Sequence, residues 1–321
     1  MAWVTVNGSK GIWEYENTAV VTDTYKESAD GASMSISNGI RTFTKPGTSD
    51  TVANYMQCRT VSDSVERGEL SKAFYDAVFT AGGGIDTIED SVTDAATTLQ
   101  VWFDGADSGQ FTPSVSDGDT FTQWSDKSNF AHNANPTGGA TTRPTYRTTV
   151  QNGKSIVRFD GTNDCLSVNP VSWAQSLNGM TIISVAKFSN SSGTQTLTTS
   201  DQDDMGIFID TNFKITMAGA SADSLTAADT NFHIHSLRFD GTQSGNSARL
   251  VYRVDSVITS PSFTGTVGAT TSASNGTIFI GCDDNAEFMN GDVGEVLMFN
   301  RALTNTEMLN LETYLRTKWS V

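Results

Sequence analysis

Hydrophobic positions gather into short runs along most of the chain. Residues 156–159, 181–188, 205–209, 213–217, 232–239, 249–254, 277–281 and 293–299 are β-branched or aromatic-rich, with Gly, Asn and Asp between them. So many short strands predict a sandwich or jelly roll over residues 96–321. Near the end the pattern changes. Thr304-Asn305-Thr306-Glu307 puts a hydroxyl at an N-cap and a carboxylate three residues on, and Met308, Leu311 and Leu315 follow on one face. This predicts a terminal helix to about residue 318, packed against the sandwich.

Residues 1–80 predict a small α+β unit, with strands at 3–6, 39–44 and 51–61. A helix is predicted over 69–79, where Leu70, Phe74, Ala77 and Val78 recur at helical spacing before Ala81-Gly82-Gly83-Gly84 stops them. Residues 81–95, Gly-rich and then acidic, read as a linker. Phe-Asp-Gly occurs at 103–105, 159–161 and 239–241. It is read as convergent hairpin chemistry, because Asp-Gly supplies the positive φ that tight primed turns need.

Composition narrows the function classes. The chain has 321 residues, enough for one large β domain and a smaller unit. A net charge of −16 and the absence of any Lys/Arg run argue against nucleic acid as a partner. No apolar run approaches the ~18 residues that span a bilayer, so no membrane insertion is predicted. The opening Met1-Ala2-Trp3-Val4-Thr5-Val6-Asn7 lacks both the basic and the apolar region of a signal peptide. The Thr/Ser/Gly/Asn-rich, charge-poor texture nevertheless suits an extracellular β protein. A virion protein, made in a host cytoplasm and released by lysis, satisfies both. Cys58, Cys165 and Cys282 are odd in number and far apart, and read as reduced structural thiols.

Several blocks carry a family resemblance. Leu99-Gln100-Val101-Trp102-Phe103-Asp104-Gly105, Trp124-Ser125-Asp126-Lys127-Ser128, Arg143-Pro144-Thr145-Tyr146 and Val157-Arg158-Phe159-Asp160-Gly161-Thr162-Asn163-Asp164 resemble the opening of concanavalin A-like, laminin-G-like jelly-roll domains. Gly291-Asp292-Val293-Gly294-Glu295-Val296-Leu297-Met298-Phe299-Asn300-Arg301-Ala302-Leu303 and the helix ending in Lys318-Trp319 look like that family's last strand and terminal helix. The resemblance implies fold more than function, since such domains bind carbohydrate, adhere to proteins, hydrolyse glycans or serve as structure. Residues 11–17, 41–47 and 67–72 look similar to N-terminal segments of structural proteins of marine tailed phages.

Candidate chemistry is sparse. No Glu-x-Asp-x-x-Glu strand motif is present, so the laminarinase type of retaining hydrolysis is not expected. Asp201, Asp203 and Asp204 are candidate Ca²⁺ ligands, laminin-G-like domains often binding calcium at the sandwich rim; Asp283 and Asp284 form a second acidic pair. His233 and His235 share a strand face with Leu237 and Phe239, which reads as a core or rim pair rather than a metal site. Trp173, Tyr146 and Trp124 are candidate sugar-stacking platforms, against core packing for Trp124 and for Trp102. The glycine run at 82–84 lacks the Lys-Ser/Thr of a phosphate-binding loop.

The sequence is therefore read as a non-enzymatic virion structural protein, a tail or head appendage. Residues 1–80 would bind other virion proteins, and a lectin-like sandwich would adhere to cell-surface polysaccharide or decorate the particle. A homo-oligomer is expected. The alternatives are a glycan depolymerase on the same fold and a free lectin.

Overall fold

Almost every apolar run becomes a strand, and strands the hydrophobic pattern did not mark complete the sheets. The structure is a computed structural model that describes the strands of residues 1–86 and, apart from Ser192, Ser260 and Asn285, all of residues 87–321. Two units form, residues 1–90 and 91–321. In the first, β1 (Trp3–Val6), β2 (Lys10–Tyr15), β6 (Met56–Thr60) and β7 (Glu66–Leu70) make one sheet in the order β1-β2-β6-β7, with β2 and β6 parallel. A second sheet is an antiparallel meander of β3 (Asp23–Lys26), β4 (Ser33–Ser37) and β5 (Ile40–Thr44). The helix expected over 69–79 is corrected at its start, because Glu69 and Leu70 pair with Gln57 and Met56 in the sheet. Its remainder lies outside the described residues.

The second unit is a mainly β sandwich of two eight-stranded antiparallel sheets. The first sheet runs β12 (Thr145–Gln151), β13 (Lys154–Asp160), β25 (Asn290–Phe299), β15 (Gly179–Phe188), β20 (His233–Asp240), β21 (Leu250–Val254), β22 (Val257–Ile258). Beside β13, β8 (Leu99–Asp104) also pairs with β25. The second sheet runs β11 (Asn135–Pro136), β14 (Leu166–Val168), β24 (Ile278–Ile280), β16 (Gln195–Ser200), β17 (Met205–Asp210), β18 (Asn212–Met217), β19 (Ala220–Ala227), β23 (Ser262–Thr264). A small ribbon pairs β9 (Phe111–Thr112) with β10 (Gln123–Trp124). Alternation along the strands fills the space between the sheets. Val101, Phe103, Ile182, Leu237 and Met298 from the first meet Ile207, Ile215, Met217 and Ile280 from the second in one buried cluster.

The outer face of the first sheet is covered by the helix Asn305–Trp319. Both arms of the capping box form: Thr304 Oγ1 accepts from the Glu307 amide at 3.2 Å, and Glu307 accepts from the Thr304 amide at 2.8 Å. Arg301 pairs with Glu307 and with Asp94. Burial alone would raise the Glu307 pKa, but Arg301 and the Thr304 donors outweigh it and hold it at about 2. At the other end Trp319 lies on Gly294, where an added Cβ would meet the indole ring at 3.0 Å. The fully buried Glu295 accepts from Trp102 Nε1 at 2.8 Å and Trp319 Nε1 at 2.7 Å, and pairs with Lys318 at 2.7 Å. Lys318 also reaches Asp104 at 2.9 Å, and Lys127 reaches the other oxygen of Asp104 at 3.0 Å. Lys127 caps the Trp102 ring at 4.5 Å from its centroid.

Two expectations change here. Cys165 and Cys282 are not free thiols. They form a disulfide across β14 and β24, with Cα atoms 5.3 Å apart, because Leu166 and Ile280 are cross-strand partners. The Phe-Asp-Gly repeats are not three copies of one positive-φ turn. Gly161 has φ +77°, whereas Gly105 and Gly241 are needed for close approach: an added Cβ would lie 2.9 Å from Gly294 O and 1.9 Å from Ala269 O. What the repeats share is the aspartate, whose carboxylate accepts the amide two residues on from Ala106, Thr162 and Thr242.

Candidate functional site

The second sheet has an outer face of different chemistry. Its cross-strand partners can be followed from edge to edge. One row reads Thr196, Phe208, Lys214, Asp223, Ser262, and the next reads Ser167, Phe279, Thr199, Gly206, Thr216, Ser221, Thr264. The intervening residues, such as Ile207, Ile209 and Ile215, point into the core. Period two thus sends apolar side chains inward and a field of hydroxyls outward, with the half-buried ring of Phe208 among them.

Phe208 divides a shallow trough into two bays. The first, about 250 Å³, is lined by Thr196, Thr199, Thr216, Asp203, Asp283 and Glu287, with Thr194 at its margin. Its floor is low because Gly206 carries no side chain; a Cβ there would meet Thr216 Oγ1 at 2.9 Å. The second bay, about 460 Å³, is bounded by Lys214, Ser221, Asp223, Ser262 and Thr264. Lys214 is paired with Asp210 at 3.0 Å, and Asp223 accepts from Asn212 at 3.0 Å.

The acidic groups of the first bay come from two loops. Asp203, at φ +49°, lies in the turn between β16 and β17. Asp283 and Glu287 come from the segment after β24, which is held at Cys282 by the disulfide and at Glu287 by the Thr196 amide bonding its carbonyl at 2.9 Å. Burial, helped by the charges of Asp203, Glu287 and Asp284, pushes Asp283 up to about 6.

The residues singled out from sequence are distributed otherwise. Trp124 is completely buried and packs on Phe103 and Phe111, and Tyr146 is buried with its ring edge-on to Phe111, so neither offers a face to a sugar. Aromatic character marked them, but those rings are the core of the β9–β10 end. Trp173 is half-buried against the core with the His132 ring stacked on it at 5.5 Å. The three aspartates of the calcium expectation are not brought together. Asp201 accepts from the Gly276 amide, and Asp204 is buried and accepts from Ser272 N and Asn275 Nδ2, leaving Asp203 alone in the trough. Among the described residues no group of three or more His, Cys, Asp or Glu side chains has the arrangement to hold a metal ion.

His233 and His235 share the face expected of them. His235 is fully buried, bonds Tyr252 Oη at 2.8 Å and is pushed down to about 3 by burial. His233 bridges Asp255 and Asp229 at 2.6 and 2.8 Å, and its pKa is raised, chiefly by Asp255. Phe208, Gly206 and the threonines escaped notice in the sequence. The available signal was the strand QTLTTS, whose outward positions carry hydroxyls.

No protein-family model and no curated protein matches the chain. Solved structures similar to it include Trypanosoma rangeli sialidase in complex with sialic acid, at 15% identity and TM-score 0.47 over 69% of this chain and 33% of that one. The botulinum neurotoxin serotype D binding domain is similar at 10% identity and TM-score 0.46, over 71% of this chain and 52% of that one. The chain spans about a third of the sialidase and about half of the toxin domain. Likeness at this level does not transfer activity. It does overturn the expectation of a non-enzyme, which had rested on a missing hydrolase motif: the similar structures include sialidases as well as binding domains.

Proposed function

We propose that the sandwich of residues 91–321 binds carbohydrate in the trough around Phe208, and that the chain serves in a virion as an appendage. The observation that supports binding there is the composition of the trough. An aromatic ring stands between hydroxyl- and carboxylate-lined bays, which suits the apolar face of a pyranose and the hydroxyls at its edge. In the appendage reading, residues 1–80 attach to other virion proteins and the sandwich contacts surface polysaccharide. Weak sites repeated on one particle would then gain from avidity. The Thr/Ser/Gly/Asn-rich composition and the resemblance of the opening segments to phage structural proteins support this placement.

Binding is tested by titrating the full chain with an oligosaccharide panel and repeating the best ligand with Phe208→Ala. A loss of at least tenfold supports the site, and undiminished binding removes it. Virion placement is tested by cryo-electron microscopy of particles from the source, where no matching density would reject it. A second reading, glycan cleavage, is favoured by Asp283, whose carboxyl is raised to about 6 by burial in a bay that also holds Asp203 and Glu287, since glycoside hydrolysis uses a raised carboxylic acid together with a second carboxyl group. New reducing ends, abolished by Asp283→Asn, would establish it.

A further inference from the structure

Resting on the binding reading just given, the charge lining points to the ligand's chemical class. We infer that the trough takes saccharides bearing free amino groups, such as glucosamine-type oligomers, and rejects those bearing carboxylates.

The asymmetry between the two bays carries this. Asp203, Asp283 and Glu287 line the first bay, and among the described residues no Lys or Arg lines it. The cation of the second bay among the described residues, Lys214, is already paired with Asp210 and has Asp223 as its cross-strand partner. A uronate or sialate entering either bay would bring a carboxylate against carboxylates without a guanidinium to receive it, although bidentate Arg is the usual partner of such groups. An ammonium on a sugar ring stacked on Phe208 would instead meet acceptors on the Asp203 and Glu287 side, while the ring hydroxyls reach Thr199 and Thr216. Neutral sugars keep the stacking and hydroxyl contacts but not the ion pairs, so they rank between. The overall charge of −16 reinforces the preference at long range. The local lining is what makes it depend on particular residues.

The test is calorimetric titration of the full chain at pH 7 with three probes of equal length: a glucosamine tetramer, its N-acetylated counterpart and a galacturonate tetramer. The expected order is amine, then acetylated, then uronate, with at least tenfold between the first two. Half a molar salt should shrink that gap severalfold. Asp203→Asn with Glu287→Gln, both exposed positions, should bring the amine probe to the affinity of the acetylated one. Asp117→Asn with Asp119→Asn, in the loop between β9 and β10, should leave the order unchanged. If the uronate binds as well as the amine, or the first two probes bind equally, and Phe208→Ala abolishes that binding, the charge preference is wrong while carbohydrate binding stands. Equal weakening by the remote pair would reduce the preference to the general field and overturn it. Binding of no probe overturns both readings.

Discussion

The two sheets of the sandwich have the same number of strands and share one core, yet their outer faces were built for opposite ends. The first is sealed. A helix covers it, Trp319 lies on Gly294, and the buried Glu295 uses both oxygens on two indoles and an ammonium. The second has the hydroxyl field and the trough around Phe208. Satisfied polar groups under a lid can stabilise a fold but cannot meet a ligand. Polar groups aligned on an open sheet contribute little to stability and are available for recognition. Substitutions should separate the two faces accordingly.

The largest effect is expected at Glu295→Ala. It leaves two indole N–H groups without their acceptor and Lys318 with Asp104 alone, and should cost about 3–5 kcal/mol in a denaturant titration; a loss below 1 kcal/mol would mean the network is not a stabilising unit. Next is Cys165→Ser with Cys282→Ser, which removes a link between residues 117 apart and should cost about 2–4 kcal/mol. It should also weaken binding of the amine probe, because the segment carrying Asp283 and Glu287 loses its anchor. This pair of substitutions is the only one here expected to disturb both properties.

Phe208→Ala should do the reverse of Glu295→Ala. Removing a half-buried outer ring is expected to cost less than about 1.5 kcal/mol of stability while abolishing binding. A large loss of stability there would erase the contrast between the faces. The smallest effect is a pH dependence. Asp283 stays protonated up to about 6 when folded but ionises near 3.8 when unfolded. Its contribution to stability therefore falls as pH rises from 4 to 6. Over the same rise its ionisation adds an acceptor charge to the first bay, so the affinity for the amine probe should increase a few-fold between pH 5 and 7. Affinity that is flat over this range would show that Asp283 does not face the ligand.

The sealed face was far more legible in the sequence than the open one. Runs such as 181–188 and 293–299 are apolar because both of their faces are covered, and the capping box at Thr304 announces its helix within four residues. The trough depends on strands with no hydrophobic signature. Gln195–Ser200 and Ala220–Ala227 are threonine-, serine- and alanine-rich and fall in none of the predicted strands. Phe208 is hidden inside the apolar run 205–209, where only the register tells which residues face outward. Size and aromaticity drew attention to Trp124 and Tyr146, but the same properties make a good core. Asp201, Asp203 and Asp204 are adjacent in sequence and diverge in space, because a tight turn points successive side chains in different directions. Cys165 and Cys282 show the converse: only the pairing of β14 with β24 brings them together.

The pairing of β8 with β25 also bears on how the molecule comes to be. Leu99–Asp104 must wait for a partner that arrives some 190 residues later, as in the contact of Trp102 with Glu295. Local hairpins such as β17–β18 and β20–β21 can close early. The sheet that buries Glu295 cannot, since joining distant segments costs loop entropy before any contact repays it. The domain is thus expected to assemble slowly from its hairpin side inward, with the insertion of β25 as the step that commits it.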